Sequence, residues 1–490
     1  MRAKLATETT AVHSPTLLDK RPLLSHLHVR SLGIASLGIA GWAATRPAQD
    51  DPTNYVAFAL MAIAALLPAL LWAIDPQTIR DSAFFALCRQ LCLELGNAPL
   101  DRHPLITLYE PTERVYAATV VVVHLLAGLV GWRLIWRKPP KPPRQIWVLK
   151  SGTRLSVYFV LLIASIVYEF MFRAGQLNEI SGLLPITRAF FGSVSMIALL
   201  MLAFRIGRGE GEIIHRLVFF TLLIIFCLIN ATGLLLVGAI VALGAATFGL
   251  TLGSGKLPWK MLSITIAIMA VLHLGKEQMR DYHWNYLGRW TLTISEYPEF
   301  YRQWLEYGVD RLMMDDEQAA FQSARSVVQR ASLFHMTLRT TQMAGADVPY
   351  LLGESYAPVP LLLVPRFIAP DKPFSHEGTT LLNVHYGLQD REGTETTTIG
   401  WGLMNESYAN FGIFGAALLG LLLGWVIGFI ERLGKDMPLE SMRVLYGFFF
   451  VGIAINTEAT MGVFLTTWFQ GSVGLAMLLA YVDRRKFAAT

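Results

Sequence analysis

Charge is what this 490-residue sequence has least of: Asp, Glu, Lys and Arg make up only 16% of it, against about 25% in soluble domains. That shortage argues against the row of soluble domains its length alone would allow. Cysteine is also scarce, with only Cys88, Cys92 and Cys227. Cys88 and Cys92 are spaced to share a helix face, but no His or Cys pair completes a zinc set, so they read as small apolar side chains. No runs of about ten alternating residues occur, as a membrane β-barrel would need. Internal repeats and low-complexity tracts are absent. The polar start "MRAKLATETTAVHSPTLLDKRP" lacks a short apolar core with a small-residue cleavage site, and reads as an uncleaved tail rather than a signal peptide. The net charge of +5 is spread over short loops and carries no nucleic-acid signal.

What is present is apolar, 53% of all residues. "NYVAFALMAIAALLPALLWAI" and "FGIFGAALLGLLLGWVIGFI" are each long enough to cross a bilayer. The pattern predicts an all-α polytopic membrane protein with about eleven or twelve transmembrane helices. Spans are expected near 28–45, 54–74, 115–136, 155–172, 185–204, 214–231, 233–252, 260–275, 411–431, 443–458 and 465–482, with "SAFFALCRQLCLELG" (82–96) a possible further crossing. Three parts follow: a bundle over 1–275, a large loop over 276–410, and C-terminal helices over 411–490.

Orientation follows Lys and Arg. "RKPPKPPRQIWVLKSGTR", "RIGRGEGEIIHR", "GSGKLPWK", "ERLGKDMPLESMR" and the tail "DRRKFAAT" fit one threading with all five segments inside. The same threading puts 276–410 outside. It also puts the N-terminus outside, although Arg2, Lys4, Lys20, Arg21 and Arg30 lie there. Two amphipathic helices are expected in the loop. One, over 295–313, would present Phe300, Trp304, Tyr307 and Leu312 to the membrane surface, and a longer one would run over 316–343. Glu169, Arg173, Arg188, His273, Lys276, Glu277, Arg280, Glu406 and Glu458 fall near the outer span ends. Ionisable groups at such places often mark a site.

The loop also holds "VPRFIAPDKPFSHEGTT" (364–380), polar and punctuated by proline in a greasy chain. Together with "LLGESYAPVPLLL" before it and "NESYANFGIFGAALLG" after it, the segment resembles the Wzy-type O-antigen and exopolysaccharide repeat-unit polymerases. The matching positions are Gly353, Glu354, Ser355 and Tyr356; Pro365, Arg366, Pro370, Asp371, Lys372 and Pro373; and Glu406, Tyr408, Asn410, Phe411 and Gly412. Ala369 departs from the bulky aromatic expected there. The fixed-position likeness covers about sixty residues.

The resemblance implies a fold similar to the GT-C membrane glycosyltransferases and a periplasmic location for the loop. It implies an enzyme of the bacterial inner membrane that joins undecaprenyl-pyrophosphate-linked repeat units. Its partners would be the lipid-linked donor and acceptor glycans and the bilayer, with a chain-length regulator and a flippase as candidates. No cofactor is implied, because the lipid pyrophosphate is itself the leaving group. Arg366 and Lys372, and then Arg280 and Arg289, are the candidate pyrophosphate holders, since fixed cations stabilise charge developing on phosphate. Glu354, His376, Glu377 and Glu406 are the candidate bases for the acceptor hydroxyl. Trp401 and Tyr408 would stack on sugar or anchor at the interface. Asp315, Asp316 and Glu317 read as first-turn helix charges, and no metal set is assigned. Arg391 and Gly402 match an Arg-x10-Gly spacing that chance also supplies. The alternatives are an O-antigen ligase or other GT-C enzyme, and, from another class, a lipid-linked oligosaccharide transporter.

Overall fold

The computed structural model describes residues 53, 55–57, 59–61, 108–135, 143–149, 155–177, 184–288, 291–313, 333–366, 368–396, 399–435, 437–454, 458–477 and 482–486. The expected span at 28–45, the 82–96 segment, Cys88, Cys92, Asp315, Asp316, Glu317 and Arg289 lie outside the described residues.

The described chain is an all-α polytopic membrane protein. Its elements are α1 (Pro111–Ile135), β1 (Gln145–Leu149), α2 (Leu155–Arg173), α3 (Leu184–Gly207), α4 (Ile213–Ala231), α5 (Val237–Ser254) and α6 (Trp259–Arg280), followed by α7 (Tyr297–Met313), α8 (Phe334–Met343), α9 (Glu377–His385), α10 (Leu403–Gly434), α11 (Met442–Ala454), α12 (Met461–Met477) and β2 (Val482–Lys486). Seven helices among the described residues are long and apolar enough to cross a membrane: α1 to α6, with α6 continued to Trp284, and α10. α11 is apolar but shorter. Along α10, Phe414, Leu418, Leu422, Trp425 and Phe429 form an exposed apolar stripe. One exposed apolar face repeating every three to four residues is what lipid requires.

Small residues set the helix packing. Gly420, Gly424 and Gly428 recur every fourth residue on α10 and meet His124, Gly128 and Trp132 of α1 in the same order, so the two helices run parallel. A Cβ on Gly424 would collide with the Gly128 carbonyl oxygen. Close backbone approach of this kind replaces the hydrophobic drive that lipid does not provide. The seam closes at its C-terminal end, where Trp132 Nε1 donates to Glu431 Oε2 at 2.7 Å and Arg432 donates to the Ile135 carbonyl. α3 and α5 pack in the same way, with Gly249 against the Leu200 carbonyl.

The basic segments meet. β1 pairs antiparallel with β2, from Gln145 opposite Lys486 to Leu149 opposite Val482. The Leu149 amide donates to the Glu440 carbonyl at 3.0 Å, and Val148 bridges Ser441. Paired backbones lie on one side of a bilayer, so an even number of crossings separates 149 from 440. Among the described residues, six candidate spans lie between them. Three of the five basic segments expected on the inside are therefore joined. The opposite end of α10, at 403–412, carries the large loop.

The loop differs from expectation in its first helix. α7 forms, but its buried face is Phe300, Trp304 and Gly308. It runs antiparallel to α6 with Gly308 against Val271 and Gly275 against Trp304, and Trp304 Nε1 donates to the Leu272 carbonyl at 2.7 Å. Leu312, expected on the same face, is 62% exposed. The small Gly275 and Gly308 let the two backbones touch, which pins the helix to α6. Of the second expected helix, α8 is the described part. α6 itself passes the 275 boundary and continues through a π-turn, Asp281–Tyr286.

Candidate functional site

The site is organised by one backbone break. Gly412 has φ 63° and ψ −151° inside α10, a region open only to glycine. A Cβ there would also sit 3.2 Å from the Tyr350 hydroxyl. The break leaves carbonyls of the preceding turn without helical partners. The Ala409 carbonyl accepts the Leu351 amide at 3.1 Å, and the Asn410 carbonyl accepts the Leu352 amide at 3.2 Å. Leu352 and Gly353 both turn through positive φ, at 47° and 100°, which swings Ser355 inward.

Ser355 then completes a buried network. Asn410 Oδ1 accepts the Gly353 amide at 2.8 Å. Asn410 Nδ2 donates to Ser355 Oγ and to the Glu406 carbonyl, both at 2.8 Å. Ser355 Oγ donates to Glu406 Oε1 at 2.9 Å, and Glu406 Oε2 accepts the Met461 amide at 2.6 Å. Glu406 and Asn410 are fully buried and Ser355 is 1% exposed. A carboxylate taken from water needs such donors on both oxygens. Glu406, a candidate base, is thus sealed beneath the surface with both oxygens engaged. Two of the matched segments, 353–356 and 406–412, form one structural unit.

Further polar pairs bolt neighbouring segments to this unit. Thr379 and Thr460 share a hydroxyl contact at 2.8 Å, Thr337 Oγ1 donates to Asn405 Oδ1 at 2.9 Å, and Trp401 Nε1 donates to Asn383 Oδ1 at 2.6 Å. Trp401 is fully buried and Tyr408 is 2% exposed. Trp401 is therefore a packing residue, not a surface platform for sugar. Sequence reasoning missed Thr337, Thr379, Asn383, Asn405 and Thr460. A usable signal was there: Asn405, Glu406 and Asn410 sit in the first turns of an otherwise apolar helix, and such groups are costly unless satisfied.

Above the buried unit lie the accessible candidates. Glu354 opens a short 3-10 turn, Glu354–Tyr356, and its side chain is exposed. α9 packs on this turn, and a Cβ on Gly378 would lie 3.0 Å from the Ser355 carbonyl oxygen. That approach brings exposed His376, and Glu377 beside it, to the same junction. His376 Nδ1 is 3.5 Å from Oγ of Ser375, the residue before it, and Glu377 Oε1 accepts from Arg391 Nη2 at 2.8 Å.

The expected phosphate holders are used first by their own loop. Arg366 donates through Nη1 to the Pro370 carbonyl at 3.0 Å and through Nη2 to the Pro373 carbonyl at 3.5 Å, and it stacks 5.0 Å from the Phe374 ring centre. Lys372 Nζ donates to the Leu362 carbonyl at 2.7 Å and to the Val364 carbonyl. Burial and the adjacent Arg366 charge hold the Lys372 ammonium below its ordinary value. Among the described residues, no carboxylate forms an ion pair with either cation. Arg280 is tied elsewhere: Nε and Nη2 donate to the Leu234 carbonyl at 3.3 and 2.9 Å, and its guanidinium lies 4.7 Å from the Trp284 ring centre. Of the other span-end charges, Glu169 pairs with Arg173 at 2.9 Å, and Arg188 lies over Phe172 at 4.7 Å.

Neither a protein-family model, nor a curated protein, nor a solved structure matches the chain.

Proposed function

We propose that this chain is a polysaccharide polymerase of the bacterial inner membrane, joining undecaprenyl-pyrophosphate-linked oligosaccharide repeat units at the periplasmic face. One observation carries the reading. Segments fifty residues apart that resemble the Wzy-type polymerases, Gly353–Ser355 and Glu406–Gly412, lock together through a break that only Gly412 permits. The third segment supplies two adjacent cations without a described carboxylate partner. An arriving pyrophosphate would relieve their repulsion and be held by attraction to both charges.

The reaction breaks the bond between the donor's anomeric carbon and the pyrophosphate oxygen, which leaves with the electron pair. The acceptor hydroxyl oxygen bonds to that carbon, and a base takes its proton. Glu354 is the best-placed base: it is exposed, it stands on the rigid Ser355 unit, and no hydrogen bond occupies its carboxylate among the described residues. His376 and Glu377 are alternatives at the same junction, though Glu377 is engaged by Arg391. Glu406 holds the frame.

Glu354→Gln tests this better than Arg366→Ala, because removing Arg366 also unfastens its loop. A strain deleted for the gene is complemented with wild type or Glu354→Gln, and chain length is read from lipid-linked and surface polysaccharide. Single repeats from the deletion, and a loss of long chains of about 100-fold or more from the variant, are expected for a missing general base. Full-length polymer stalled on the lipid carrier in the deletion would indicate a ligase. An unchanged ladder in the deletion would remove the polymerase reading.

A further inference from the structure

α7 sits too deep to be a surface helix. α4 has 19 residues and α5 has 18, so each is about 27–28 Å long and needs its full length to cross a hydrocarbon core of about 30 Å. The turn between them, at 232–236, therefore marks the outer boundary of the core. Arg280 donates to the Leu234 carbonyl in that turn, which puts the end of α6 at the same level. From there α7 runs back down along α6. His283 lies 5.0 Å from Phe300 between ring centres, Gly275 meets Trp304, and Gly308 meets Val271. Val271 is about 13 Å down α6 from Arg280. The Tyr301 hydroxyl donates to the Leu228 carbonyl, which belongs to α4 below the turn. The chain is at the outer end again by Thr337, which bonds Asn405, and Gln342 Nε2 donates at 3.0 Å to Glu113 Oε1 at the start of α1.

Around its axis α7 shows three arcs. Phe300, Trp304 and Gly308 face α6. Leu305, Val309 and Leu312 are exposed and share the next arc of about 60°. Glu299, Arg302, Glu306 and Asp310 are also exposed and fill the following arc of about 80°. Arg302 Nε donates to Glu299 Oε2 at 2.8 Å, and Nη1 donates to Glu306. These pairs neutralise Arg302 and leave the arc with an excess of two negative charges. Charged groups at membrane depth face the bundle interior or a water-filled cavity. This arc is turned away from α6 and is open, so the first option does not apply.

We propose that α7 is inserted in the outer leaflet beside α6, with Leu305, Val309 and Leu312 against lipid acyl chains and with Glu299, Arg302, Glu306 and Asp310 lining a water-filled cleft open to the outside. The cleft carries water along α7 to about the level of the bilayer midplane, about 15 Å beneath the outer boundary. An amphipathic helix resting on the surface lies in the interface plane. α7 instead follows a membrane-crossing helix for two turns with glycines at the seam. Nothing in this placement depends on the polymerase reading.

The test uses the full chain in nanodiscs, with Cys88, Cys92 and Cys227 replaced by alanine. Single cysteines are placed by Leu305→Cys, Val309→Cys, Glu306→Cys and Asp310→Cys. The probe is a positively charged methanethiosulfonate reagent, and labelling in denaturing detergent shows that all four thiols are present. A charge is disfavoured in hydrocarbon by about 70-fold or more, so labelling at 306 and 310 is expected to be faster than at 305 and 309 by that order. A bimane fluorophore attached in detergent before reconstitution is expected to be quenched by acyl-chain-brominated lipid at 305 and 309 only. Fast labelling at all four sites places α7 outside the bilayer and overturns the insertion. Slow labelling at all four overturns the cleft. Each arc carries two sites, so a variant that fails to reconstitute leaves its neighbour to report.

Discussion

Two polar assemblies on the same loop use their charged residues in opposite ways. At 353–355 and 406–410, a carboxylate is buried and every oxygen is met by a neutral donor. At 362–376, two cations stay near the surface and bind backbone carbonyls of their own turn. In the first, the carboxyl group holds two distant segments together through its hydrogen bonds. In the second, the charge holds one loop in shape and remains unneutralised by any described carboxylate. A charged residue in a polar loop can therefore be frame or tool, and burial with full satisfaction separates the two. Glu406 is frame, Glu354 on the turn beside it is exposed and is the proposed tool, and Arg366 and Lys372 hold their own loop while remaining the proposed phosphate holders.

The largest effect should come from the buried assembly. Glu406→Ala strands the Ser355 hydroxyl and the Met461 amide, each costing about 1–3 kcal/mol when left unpaired in the interior. The expected result is loss of the monodisperse species or a clear fall in thermal unfolding temperature in detergent. Glu406→Gln retains one acceptor and should fall between Ala and wild type. If Glu406→Ala unfolds like wild type but makes no polymer, Glu406 is tool rather than frame, and the contrast fails.

The cation loop should behave differently. Arg366→Ala removes two bonds to carbonyls within seven residues, and Lys372→Met removes two more. Both groups are only half-buried, so the cost stays local. The expected outcome is an unchanged unfolding temperature with faster limited proteolysis between 362 and 376. Proteolysis at the wild-type rate would mean that the loop does not depend on these bonds.

Much of the architecture was legible because it is written in composition. Long apolar runs marked α1 to α6 and α10, and the Lys and Arg bias identified the segments that β1, β2 and Ser441 bring together. The polar motif segments were legible as a set, but their geometry was not. Nothing in the spacing of Gly412 reveals a φ of 63°, and that angle is what lets Leu351 and Leu352 dock on α10. Trp401 and Tyr408 read as sugar platforms or interface anchors, yet both rings are buried, Trp401 bonded to buried Asn383 and Tyr408 touching the exposed Tyr116, and neither partner is near in sequence. Periodicity likewise gave α7 without its face, because the deciding contact is between two glycines, Gly275 and Gly308, that carry no hydrophobic signal.

The smallest effect sharpens the comparison from outside. Arg391 and Glu377 pair at 2.8 Å, with side chains 70% and 28% exposed. Exposed pairs contribute about 0–1 kcal/mol and are screened by salt, so Arg391→Ala should leave the unfolding temperature unchanged at any salt concentration. Its consequence lies in what it releases. Glu377 shares the junction with Glu354, and freeing its carboxylate adds a second unoccupied acid beside the proposed base. In the Glu354→Gln background, Arg391→Ala should therefore recover a measurable fraction of long-chain polymer if Glu377 can reach the acceptor hydroxyl. No recovery, with the double variant present at wild-type levels in the membrane, assigns proton removal to Glu354 alone and leaves Glu377 as part of the rim.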